Sequence, residues 1–70
     1  MKVSLRAARI NAGLLQRDAA KLAHISLSSL QRYERGVSIP KVSTMKTLLA
    51  LYGAQYDDID FMLTDEEQVE

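Results

Sequence analysis

Apolar side chains recur along this chain at spacings of three and four, and nowhere do they alternate with polar ones for long enough to suggest a strand. Five segments carry the helical period. The first, residues 4–12, turns Leu5, Ala8 and Ala12 to one side, and Gly13 follows where glycine commonly ends a helix. The second, 16–23, has only small apolar positions, Ala19, Ala20 and Ala23, which let two helix backbones approach closely while contributing little area each. Ser26 is a good N-cap for the third, 27–35, which Gly36 ends. Only His24 and Ile25 separate it from the second, so the two are expected to cross steeply. The loop 36–40 leads to a fourth helix, 41–52, with Val42, Met45, Leu48, Leu49 and Tyr52 inward and Gly53 closing it. A short fifth helix, 56–63, offers Tyr56, Ile59, Phe61, Met62 and Leu63, more apolar groups than one inward stripe holds. The pattern therefore predicts a compact all-α, five-helix domain over residues 1–63, followed by an acidic, frayed tail at 64–70.

Composition narrows what such a domain does. Seventy residues hold one small core, and the absence of cysteine removes disulfides and thiolate metal sites, which fits a reducing cytoplasm. Lys2, Arg6 and Arg9 interrupt the N-terminal segment, so it does not read as a signal peptide or a membrane span. Formal net charge is zero, but all nine bases fall in 2–46 against two acids there, a balance of +7, while 57–70 carries seven acids and no base. That division suits a polyanionic partner for the body, with a solvated charge gradient as the alternative. Enzyme chemistry finds no support, because the one histidine sits in a turn and no glycine-rich phosphate loop follows a strand. Asp57, Asp58 and Asp60 lack the spacing of a calcium loop and read as a solvated acidic face. No cofactor, metal or small-molecule substrate is expected.

Several stretches together carry a family resemblance: Leu5-Arg6-Ala7-Ala8-Arg9 before Ala12-Gly13-Leu14, then Gln16, and above all Arg32-Tyr33-Glu34-Arg35-Gly36 followed by Pro40. With these the chain resembles the Cro and CI repressor type of helix-turn-helix domain, the XRE family, from about residue 5 to 59. Ala20 matches the small residue at the helix crossing, and Ile25, Leu30 and Tyr33 match buried positions. The resemblance implies a lambda-repressor-like fold, double-stranded DNA as partner, and a role as a small transcriptional regulator. It also implies a largely buried, structural ion pair between Arg9 and Glu34. Two departures stand out. His24 occupies the turn position that is usually glycine, and Ala19 replaces a larger apolar residue, so Leu15 or Leu22 is expected to fill in beside it.

Helical geometry turns Leu27, Ser28, Gln31, Arg32 and Arg35 away from the core, and the resemblance assigns base contacts to Leu27, Ser28, Gln31 and Arg32. Arg32 suits guanine O6 and N7, Gln31 suits adenine N6 and N7, and Leu27 suits a thymine methyl. Their ordinary readings are a solvated arginine and a partly buried leucine. Gln16, Arg17, Arg35, Ser38 and Lys41 are candidate phosphate contacts. The surplus apolar groups Leu51, Phe61, Met62 and Leu63 suggest a homodimer interface, which would place two third helices on one face of a pseudo-palindromic operator; the alternative is that Phe61 and Leu63 fold back over Tyr56 and Met45 to complete the core. The competing reading is a protein-interaction module on the same fold, such as an antitoxin or an antirepressor.

Overall fold

The computed structural model describes residues 2–61. Four helices, α1 (Leu5–Asn11), α2 (Gln16–Ala23), α3 (Leu27–Glu34) and α4 (Val42–Tyr52), are followed by a 3-10 turn at Tyr56–Asp58. Local chemistry sets the ends. Ser4 Oγ accepts from Ala7 N at 3.0 Å to cap α1, and Ser26 Oγ accepts from Ser29 N at 3.1 Å to cap α3. Gly36 follows α3 with φ 76°, and Val37 N then closes back on Arg32 O at 3.0 Å, so the chain reverses without leaving the last carbonyls bare. Neither Leu15 nor Lys41, which precede α2 and α4, supplies a side-chain cap.

α2 packs against both α3 and α4, and its alanines make this possible. Ala19, Ala20 and Ala23 are buried, so their small side chains bring the helix backbones together around Leu30 and Leu48, which have no exposed surface, and Leu5. The expectation that Leu15 or Leu22 fills in beside Ala19 is corrected: they are 59% and 52% exposed, and Ala19 is fully covered. Close approach replaces bulk. Val42, expected inward, is 65% exposed, and the inward face of α4 is Met45, Leu48, Leu49 and Tyr52. Ala12 is exposed as well, because α1 ends at Asn11 and Ala12 is its C-cap.

The last element departs most from the periodicity. A single 3-10 turn replaces the start of the expected fifth helix; Asp58 Oδ2 accepts from Gln55 N at 3.1 Å, and the backbone becomes extended at Ile59. There it pairs in parallel with Val3, through Val3 N donating to Asp58 O at 2.9 Å and Asp60 N donating to Val3 O at 3.0 Å. This bridge ties the two ends of the domain together and directs Ile59 and Phe61 into the core. Phe61, expected on a dimer surface, is only 9% exposed, its ring 6.0 Å from that of Tyr56. Leu51 packs half-buried against the same core. Met62, Leu63 and the tail 64–70 lie outside the described residues.

Arg9 and Glu34 form a buried ion pair between α1 and α3. Arg9 Nε donates to Glu34 Oε2 at 2.7 Å and Nη2 donates to Oε1 at 3.2 Å, while Nη1 donates to the Leu14 carbonyl at 2.8 Å. One guanidinium thus fastens α3 and the α1–α2 loop to α1.

Tyr52 is buried in the same core, and its hydroxyl finds no hydrogen-bond partner among the described residues. Burial raises its pKa from 10.0 to about 12, with Glu34 adding to the rise and Arg9 opposing it. The folded state therefore holds this proton more tightly than the unfolded chain. The stability this contributes is complete below pH 10 and is lost as pH rises from 10 through about 12. Tyr52→Phe removes an unsatisfied polar group and should raise stability at pH 7 by about 1 kcal/mol. Urea melts should also show the variant losing less stability than the wild type between pH 9 and 11.

Candidate nucleic-acid interface

The turn between α2 and α3 is built by three residues. His24 adopts the left-handed conformation, φ 60° and ψ 40°, and Ile25 N then donates to Ala20 O at 3.0 Å. Ile25 tucks against the core, and Ser26 caps α3. His24 thus takes up the backbone geometry that glycine adopts without strain; the turn is not rearranged to spare it.

α3 divides cleanly by exposure. Leu30 and Glu34 are buried and Tyr33 is half-buried, whereas Leu27, Ser28, Arg32 and Arg35 are exposed and Gln31 lies at the boundary. The expected base-reading residues therefore share one outward face. The Arg32 guanidinium does not extend freely: Nε and Nη2 donate to Ser38 Oγ at 3.4 and 3.3 Å. Ser38, expected at the phosphates, thus braces Arg32 from the following loop. Arg17 is exposed in the first turn of α2, and Lys41 is exposed at the N-terminus of α4.

Gln16, at the start of α2, is half-buried and reaches α3 with both ends of its amide. Its Nε2 donates to Glu34 Oε1 at 2.9 Å, and its Oε1 accepts from Gln31 Nε2 at 3.5 Å. The sequence held one signal for the first of these bonds, since a carboxylate has acceptor capacity beyond a single guanidinium. The loop after α3 adds something periodicity missed: Val37, Ile39 and Val42 are all exposed within six residues, beside Arg35 and Lys41. Asp58 is engaged as a capping group, and the described residues contain no group of three side chains suited to holding a metal ion. None of their helices is long and apolar enough to cross a membrane.

A family model described as helix-turn-helix matches residues 5–59. No curated protein and no solved structure matches the chain.

The left-handed residue at position 24 generates a direct expectation. His24→Gly should stabilise the domain by about 1 kcal/mol, because relief of backbone strain outweighs the added freedom of the unfolded chain. In a domain this small, that corresponds to a rise in melting temperature of roughly 4–8 °C. A lowered midpoint would show that the imidazole makes a compensating interaction.

Proposed function

The chain belongs to the helix-turn-helix family of DNA-binding regulators, and we propose that within it this protein is a small Cro-like or controller repressor that reads a specific duplex with α3. The observation that carries the reading is the division of α3: Leu30 and Glu34 lock one side into the core, and Leu27, Ser28, Gln31 and Arg32 stand on the other. With α3 in the major groove, Arg32 forks onto guanine, held in place by Ser38, and Leu27 meets a thymine methyl. Arg17, Arg35 and Lys41 neutralise phosphates. The first N–H groups of α2 and α4, which no side chain caps, suit the same anions.

One α3 offers few base contacts, and the protein is proposed to act as a homodimer on a pseudo-palindromic site. The burial of Phe61 removes it from the interface expected at the end of the chain. The exposed Val37, Ile39 and Val42, beside α3, supply apolar surface for a second copy. Three such side chains offer a few hundred Å², well below the roughly 800 Å² per partner of a stable interface, so the duplex itself holds the copies together.

Selection from random duplexes at low salt tests this reading. It should enrich a pseudo-palindrome with half-sites about 34 Å apart. Six cations per dimer at phosphates give a slope of log affinity against log salt of about −5. Failure to enrich any motif would contradict the proposal. On the enriched site, Arg32→Ala should abolish discrimination at one base pair of each half-site, a loss of about 1–3 kcal/mol, with an unchanged circular dichroism spectrum. Base preferences that survive the substitution would exclude Arg32 as a reader.

A further inference from the structure

Gly36, left-handed with φ 76°, turns the chain back over the end of α3, and Ser38 N comes to donate to the Arg32 carbonyl at 3.4 Å. The same reversal brings the Ser38 hydroxyl to the Arg32 guanidinium, where Nε and Nη2 both donate to Oγ, at 3.4 and 3.3 Å. Backbone and side chain of one residue thus meet the same arginine. A guanidinium has only donors, so Oγ is the acceptor in both bonds and the hydroxyl hydrogen must go elsewhere. No acceptor among the described residues takes it. Arg32 in turn keeps both N–H groups of Nη1 and one of Nη2, and the pair at that end of the fork matches guanine O6 and N7.

We infer that Ser38 is a positioning residue that couples base reading to a phosphate contact: its oxygen takes the Nε–Nη2 edge of Arg32, so that guanine is read with the Nη1–Nη2 end, and its hydroxyl hydrogen is donated to a backbone phosphate. The inference rests on the proposed reading of α3 as the helix that enters the groove. A cation held against Oγ polarises the hydroxyl and makes it a better donor to an anion. The anionic acceptors of a duplex are its phosphate oxygens, and Arg35 and Lys41, exposed on either side of Ser38 in the chain, draw in the same backbone. Neither bond to Arg32 is short, and two N–H groups share one oxygen, so the contact orients the guanidinium without competing with a base. An unrestrained arginine can present either edge of its fork and loses rotamer freedom on binding. Ser38 removes part of that loss, and the phosphate fixes Ser38 in turn.

The test measures affinities of the wild type, Ser38→Ala and Ser38→Thr for the selected duplex, for versions carrying each other base at the Arg32 position, and for versions with a methylphosphonate replacing each phosphate of a half-site in turn. The wild type should prefer guanine roughly thirtyfold, Ser38→Ala about threefold, and Ser38→Thr, which keeps the hydroxyl, about as strongly as the wild type. One methylphosphonate should reduce the wild-type preference to about threefold and have no further effect on Ser38→Ala. An Arg32-dependent guanine preference that survives Ser38→Ala, with all duplexes bound equally more weakly, would overturn the inference alone and leave Ser38 a phosphate contact. A preference lost in Ser38→Ala, with every methylphosphonate acting on it as on the wild type, would overturn the coupling. A wild type with no base preference sensitive to Arg32→Ala would remove the reading of α3 and the inference together. The brace is also measured without DNA: 15N relaxation of the Arg32 Nε–H should give an order parameter above about 0.6 in the wild type and below it in Ser38→Ala, and equal values would overturn the inference.

Discussion

Arg9 and Glu34 place opposite charges inside a domain that has few large apolar side chains to surround them. Removing two such ions from water costs several kcal/mol each, and their attraction offsets this only when geometry is good and the remaining donors and acceptors are filled. Here they are filled: the guanidinium gives two N–H groups to the carboxylate and a third to the Leu14 carbonyl, and the carboxylate takes a further bond from Gln16. The pair adds little net stability over an apolar pair of the same shape. It acts through constraint, because either charge without the other is strongly unfavourable, and α1, the α1–α2 loop and α3 must therefore meet in one arrangement.

That arrangement leads directly to the candidate interface. Glu34 is the last residue of α3, and anchoring it fixes the rotation of the helix about its own axis. Leu30, one turn earlier, is buried on the same side, and the opposite side is left outward with Arg32 and Arg35. The alanines of α2 complete the geometry by letting that helix lie close to both α3 and α4. A larger residue at position 19, which has no exposed surface, would push α2 outward and change the angle at which α3 is presented. Fold and interface thus share the same few contacts.

Signals that act within a few residues were legible in the sequence. The serine caps, Gly36, the short link at His24 and Ile25, and the outward face of α3 are all set by local geometry, and the partnership of Arg9 with Glu34 was implied by the family resemblance. What escaped depends on distant partners. The segment from Tyr56 to Phe61 has the apolar density of a helix, but a bridge to Val3, more than fifty residues away, draws it into extended backbone and takes Phe61 inward. Leu15 and Leu22, expected to fill in beside Ala19, and Val42, expected inward, are exposed, while the alanines of α2 are themselves buried. The bond from Gln16 to Glu34 joins residues eighteen positions apart and depends on the packing of α2 against α3.

A charge-removal cycle of Arg9→Met, Glu34→Leu and the double variant, followed by thermal melting, tests whether the buried pair acts by constraint. A domain of this size has about 4–10 kcal/mol of net stability, and an unpaired buried charge costs about 3–5 kcal/mol. Each single variant should therefore melt far below the wild type or fail to fold. The double variant, with neither charge, should regain a cooperative transition. Single variants that melt within a few degrees of the wild type, or a double variant whose loss equals the sum of the two, would show that the pair imposes no such constraint.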